Sequence, residues 1–425
     1  MKIRKLISIF IMLLFTTYSF TSGGIIKYIF PNAICIAVVF VLIATGVFYL
    51  SSFQFRFKNK ILAIQIVLCI TIILVNRNAN FMNSVFVNDF AIITAFVFLL
   101  FSVQSNDWHK YFIIFSCIWT VIHAVITLME CFIPGLYMNY ILPLFEGTAY
   151  YDILISGFNM GIMPGITMNP TSNGIYLSVG LTILSIICLT ERKKKKSVFV
   201  LIVLIALTAF ALLLTGKRAL IIFSPLGIFT AYLIYNFDKP IKRVVIKIVS
   251  AILVILAIFF VSSKYVPELN IFINRFVETF VRGDVSAGRY QLYSVAFHLF
   301  KNNPLIGIGW DAYKYYYLSN YLVLKNTHNV YLQLLAENGV IGAIPFYTLF
   351  FVSYARAIRE MIKYCRCKKS IRDHSIDLGL CFSVGMQTLF LLYSMTENPL
   401  YDAQMLFPYV CCVSIGEYYI AELKR

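Results

Sequence analysis

Apolar runs of span length, separated by short polar segments, recur along almost the whole chain. They fall near 6–21, 33–52, 61–75, 91–103, 112–133, 175–190, 198–215, 219–237, 248–266, 340–358, 376–396 and 401–421. A transmembrane helix needs about 20 mostly apolar residues. The runs are continuous and lack the strict alternation of a membrane barrel. The pattern therefore predicts an all-α polytopic membrane protein with about twelve spans. It also predicts one integral membrane domain over 1–425 with a large helical extracytoplasmic loop. Met1–Lys5 is basic and Leu6–Thr21 is apolar, as in a signal peptide. No small-residue cleavage site follows, so this stretch is read as the first span.

Composition agrees: 60% of the residues are hydrophobic and 13% charged, with a mean hydropathy of +0.81. Soluble domains carry about 25% charged residues. The formal charge of +17 would suggest nucleic acid in a soluble chain. Here most of the 36 Lys and Arg lie in one alternating set of short segments, including Arg192–Lys196 and Arg356–Arg372. The positive-inside rule makes those segments cytoplasmic. Both termini then face the cytoplasm, and no nucleic-acid partner is expected. The ten cysteines sit mostly inside apolar runs and form no disulfide framework.

Two segments assigned to the outer side are long: 135–174, and 267–339 between the ninth and tenth spans. The first ends in Met163-Pro164-Gly165-Ile166-Thr167-Met168-Asn169-Pro170, whose punctuation predicts an irregular loop leading into a span. The second concentrates the ionisable residues. Within it Leu292, Ala296, Leu299 and Phe300 recur at helical spacing. Asp284 or Ser286 can cap that helix, and Asn303-Pro304 ends it. Gly307-x-Gly309 lacks the third glycine and acidic residue of a dinucleotide fingerprint and is read as a turn packing the loop on the bundle. Tyr313, Tyr315, Tyr316, Tyr317 and Tyr321 suit a membrane interface. Thr327 or Asn326 can cap a short helix stopped at Asn338-Gly339, which would put His328 in its first turn. There the helix dipole favours a neutral imidazole.

Lys217-Arg218 stands at the outer end between two spans, against the positive-inside tendency. Snorkelling toward lipid phosphates explains it, and so does a fixed site for a phosphorylated substrate. Arg289 opens the loop helix beside its positive end, where a cation is disfavoured. A solvated arginine and an anion-binding one are both compatible with that position. His328 is read either as a general base toward a sugar hydroxyl or as a capping residue.

The order Gly288-Arg289, a helix, Asn303-Pro304, Gly307-x-Gly309, His328-Asn329-x-x-Leu332 and Glu337-Asn338-Gly339-x-x-Gly342 resembles the O-antigen ligase-related family. That family comprises O-antigen ligases and surface-polysaccharide polymerases. The resemblance runs from about Gly161 to Pro345. It implies a glycosyltransferase at the outer face of the cytoplasmic membrane. The donor would be a glycan on undecaprenyl pyrophosphate, and the acceptor a glycan or lipid-linked glycan, both reached among membrane lipids. It implies that Arg218 and Arg289 are the important arginines and His328 the base. Lys217, Arg282, Trp310 and Asn329 are added as substrate contacts. No metal or cofactor is expected, because the arginines supply countercharge. A polymerase is preferred over a ligase that attaches glycan to lipid A-core. A transporter or flippase is the reading from another class, motivated by twelve spans and by Glu130, Glu397 and Glu417 read as intramembrane. Against it, the polar residues gather in one asymmetric loop.

Overall fold

The computed structural model describes residues 2–22, 59–77, 86–148, 151–167, 169–191, 195–247, 288–367 and 372–424, with single positions 250, 261 and 264. Every regular element among them is helical. The principal helices are α1 (Lys2–Thr21), α2 (Lys60–Val75), α3 (Phe86–Ser102), α4 (His109–Phe132), α5 (Tyr151–Asn159), α6 (Pro170–Thr190) and α7 (Lys195–Leu214). They continue with α8 (Arg218–Tyr235), α9 (Arg289–Asn302), α10 (Tyr313–Tyr321), α11 (Val330–Cys365), α12 (His374–Tyr393) and α13 (Ala403–Glu422).

Among the described residues, six helices are long and apolar enough to cross a membrane: α4, α6, α7, α8, α11 and α12. Shorter apolar helices cover Ser8–Thr21, Lys60–Val75 and Asp89–Ser102. The chain is thus a helical, integral membrane protein. The expected spans at 33–52 and 248–266 fall outside the described residues, apart from the three single positions. The expected last span corresponds to α13, which is buried along most of its length.

Helices α6, α12 and α13 form the centre of the bundle. They are buried along most of their length, and largely apolar, as helices enclosed by other helices are. Glycines let the backbones approach. A Cβ at Gly227 of α8 would lie 2.6 Å from the Gly385 carbonyl of α12, and one at Gly180 of α6 would meet the Thr120 side chain of α4. Close small-residue contacts of this kind hold membrane helices together where lipid offers no hydrophobic driving force. By contrast, α7 exposes Phe199, Val200, Ile202 and Val203, the side chains of a lipid-facing surface.

At one end of the bundle Glu417 accepts from Asn59 (2.9 Å) and pairs with Arg356 (3.0 Å). Arg372 pairs with Asp377 there, enclosed against the Tyr235 ring. The opposite end carries the loops. Segment 135–167 is more ordered than expected, with turns at Pro134–Leu136, Tyr137–Ile141 and Leu142–Phe145 ahead of α5. Glu130 accepts from the Gly165 amide (2.7 Å), and His123 bonds to the Phe20 carbonyl (2.9 Å). Although two turns apart on α4, these two residues have separate partners.

The loop after α9 seats on a break in α11. Gly339 has φ +59 and ψ −167, so α11 is two helical segments meeting at a kink. The Asn338-Gly339 stop is thus present, although a second segment follows directly. Leu305–Gly309 runs alongside this break. Ile308 donates to the Ala336 carbonyl (3.0 Å), Gly309 to that of Glu337 (2.8 Å) and Ile341 to that of Leu305 (3.1 Å). Asn76, just beyond α2, donates to the Ile306 and Glu337 carbonyls, each at 3.1 Å. The Gly-x-Gly turn packs the loop on the bundle, as its sequence suggested.

Candidate functional site

Three segments far apart in sequence meet at the loop-bearing end. The first is the start of α9. Gly288 has φ +82 and occupies the N-cap without a side-chain bond, so Arg289 is the first helical residue. The expected caps Asp284 and Ser286 lie outside the described residues, as do Arg275 and Arg282. The helix ends at Asn302, just ahead of the Asn303-Pro304 break. Its face of Leu292, Val295, Ala296 and Leu299 packs on Tyr313 and Tyr317.

The second segment is the approach to α11, and here one expectation is corrected. Asn329, not Thr327 or Asn326, is the N-cap: its backbone is extended and its Oδ1 accepts from the Leu332 amide (3.0 Å). Asn is among the best capping residues, and its short amide reaches the third residue on. His328 therefore stands outside the helix, not in its first turn, and adopts φ +53. A non-glycine residue in that region costs on the order of 1–3 kcal/mol and persists only where neighbours hold it. The Thr327 hydroxyl helps to hold it, donating to the Asn329 carbonyl (2.8 Å) and accepting from its amide (3.1 Å).

The third segment is the connection between α12 and α13, which carries Glu397. One Glu397 oxygen accepts from Arg289 at 2.8 Å, and the other meets His328 Nδ1 at 2.5 Å. Burial pushes the Glu397 carboxyl upward. The His328 bond and the charges of His328, Arg289 and Lys217 outweigh it and hold the carboxyl below its ordinary range. With Nδ1 committed to the carboxylate, a neutral His328 carries its proton there and presents Nε2 as the lone-pair nitrogen. His328 is 36% exposed, open enough to receive a substrate.

Lys217 and Arg218 sit at the head of α8, where Lys217 packs against Gly174 of α6. Both are half-buried. Cations at a helix N-terminus are unfavourable by themselves, and a bound anion offsets the cost. Trp310 and Asn329, expected as substrate contacts, both have partners within the protein. Trp310 is only 3% exposed, stacked between Phe346 and Tyr401, with its Nε1 donating to Asp89 (2.7 Å). The Asn329 amide is taken up by the cap and by the Met395 carbonyl (3.2 Å). Both residues anchor the loop. Tyr313 and Tyr317 are likewise buried within it, whereas Tyr321 is exposed.

The sequence places Glu397 in the membrane interior, as a feature of a transporter. It instead follows the end of α12 at Tyr393 and belongs to the polar run Thr396-Glu397-Asn398, a signal available in a connection on the same side as the long loops. Glu130, Glu417 and Glu397 each have separate partners among the described residues.

No curated protein matches the chain. The model of the O-antigen ligase family matches residues 203–347, a stretch that contains Lys217, Arg218, Arg289 and His328. That match supports an O-antigen ligase-related family for this chain, a family of membrane enzymes in surface-polysaccharide assembly.

Proposed function

We propose that this protein is a glycosyltransferase at the outer face of the cytoplasmic membrane that polymerises oligosaccharide repeat units carried on undecaprenyl pyrophosphate. The observation that carries the reading is the contact chain from Arg289 through Glu397 to His328, beside Lys217. An acceptor sugar hydroxyl attacks the anomeric carbon of the donor and gives its proton to His328 Nε2. The bond from that carbon to the pyrophosphate oxygen breaks with inversion, and the electron pair leaves on pyrophosphate. Glu397 stabilises the imidazolium as it forms, the role a carboxylate plays beside histidine in other general-base systems. Arg289, Arg218 and Lys217 meet the charge that develops on the leaving group. Arginine suits that task because its planar fork binds phosphate oxygens in pairs. Three cations supply the countercharge, so no metal or cofactor enters the scheme.

A ligase would use the same groups on a different acceptor, lipid A-core, and the family match is compatible with both. Deleting the gene separates the two. Loss of a polymerase leaves single repeat units at the surface, the result expected here. Long chains stranded on the lipid carrier would identify a ligase.

A further inference from the structure

Gln333 lies one helical turn before Glu337 on the first segment of α11, and both side chains are fully enclosed. Glu337 receives four donors: the amides of Asp311 (3.0 Å) and Tyr313 (3.2 Å), the Tyr401 hydroxyl (2.6 Å) and Gln333 Nε2 (2.9 Å). A backbone amide only donates, so the Thr327 N–H at the far end of the Gln333 side chain (3.4 Å) fixes Oε1 toward itself and leaves Nε2 toward Glu337. Nε2 must point to Glu337, with a longer bond to Asn326 Oδ1 (3.4 Å). Oε1 must point the other way.

That oxygen collects two partners. Asn398 Nδ2 donates to it at 2.8 Å and the Thr327 amide at 3.4 Å, while the one Thr327 hydroxyl proton is held by the Asn329 carbonyl at 2.8 Å. Thr327 immediately precedes His328, and Asn398 immediately follows Glu397. One buried oxygen thus ties together the two backbone segments whose side chains meet at 2.5 Å. Thr327 Oγ1 and Asn398 Oδ1 also lie 3.4 Å apart, so the two segments touch directly.

We infer that Gln333, oriented by the Thr327 amide, is a positioning residue that sets the spacing of His328 and Glu397. It touches no reacting atom and acts through its two neighbours. The kinetic part of this inference rests on the transferase reading, whereas the coupling of the two segments does not. A misplacement of about 1 Å at a reacting centre costs on the order of 10²-fold in rate.

The test compares wild type with Gln333→Leu, which keeps the volume and removes both polar ends. Hydrogen–deuterium exchange of the full-length protein in lipid nanodiscs reads 326–332 and 394–402. Both segments should exchange faster in the variant, while the interior of α12 stays protected. Turnover of a lipid-linked repeat unit should fall roughly 10–100-fold with donor KM within about twofold. Asn398→Ala removes one arm from a partly exposed side chain and tolerates folding more easily. It should speed exchange in 394–402 and cost less turnover. Unchanged exchange in both segments of a folded Gln333→Leu protein would overturn the inference, and so would faster exchange with wild-type turnover. Lack of transfer by wild type would count against the transferase reading, and exchange would still decide the coupling.

Discussion

Glu397 binds both Arg289 and His328 from a side chain that is 23% exposed. Its carboxyl lies below the ordinary value of 4.5, against the pull of burial. A group with a depressed folded-state value adds stability that is fully present above the unfolded value. That stability is lost only as pH falls through the folded one. The groups facing it are His328, Arg289 and Lys217, with Tyr293 and Tyr393 nearby. Glu397→Gln removes the charge and should lower stability by about 1–3 kcal/mol, the range for hydrogen bonds to charged groups. In thermal melts, the gap between wild type and this variant should hold from pH 7 to about pH 4.5 and close only below it. A gap that closes well above pH 4.5 would mean that the carboxyl takes up its proton early, contrary to the contacts described.

At the scale of elements, the seat of the long loop on α11 depends on two glycines whose backbones face each other. Gly307 has φ +69, and a Cβ there would lie 2.3 Å from the Glu337 carbonyl carbon. Gly339 has φ +59, and its Cβ would lie 2.3 Å from that of Leu305. Alanine at either position combines a disfavoured conformation with a backbone clash that no rotamer relieves. Gly339→Ala should cost about 1–3 kcal/mol or more and speed hydrogen exchange over 304–310. Gly135→Ala, with open space around its Cβ, is the matched control and should be neutral. Equal stability of the two variants would show that the seat does not need the glycine. These elements were legible in sequence because their signals are local. Apolar spacing and Asn303-Pro304 marked α9, and Asn338-Gly339 marked the kink. The start of α11 was misjudged because Thr327, Asn326 and Asn329 are all good caps. Only the left-handed turn at His328 selects Asn329.

Across the whole molecule, the site exists only where the chain converges. Glu397 is 69 residues from His328 and 108 from Arg289, separations at which no spacing rule operates. Composition and charge made the bundle legible, and the order of motifs made Arg289 and His328 legible. The partner that joins them was not, because a lone carboxylate after an apolar run reads equally as a residue inside the span. The stacking of Trp310 between Phe346 and Tyr401 was not legible for a related reason: its partners are 36 and 91 positions further along the chain. What the convergence achieves is a histidine oriented by one carboxylate beside several cations, and the central claim is that this histidine takes the acceptor's proton. The most direct measurement is the turnover of a lipid-linked repeat unit by His328→Gln in lipid, at equal protein insertion. Glutamine keeps a polar contact but cannot accept the proton usefully. Turnover should fall by about 10²–10⁴-fold with donor KM little changed. Turnover near the wild-type rate would contradict the account, because His328 would then only position a substrate and the base would lie elsewhere.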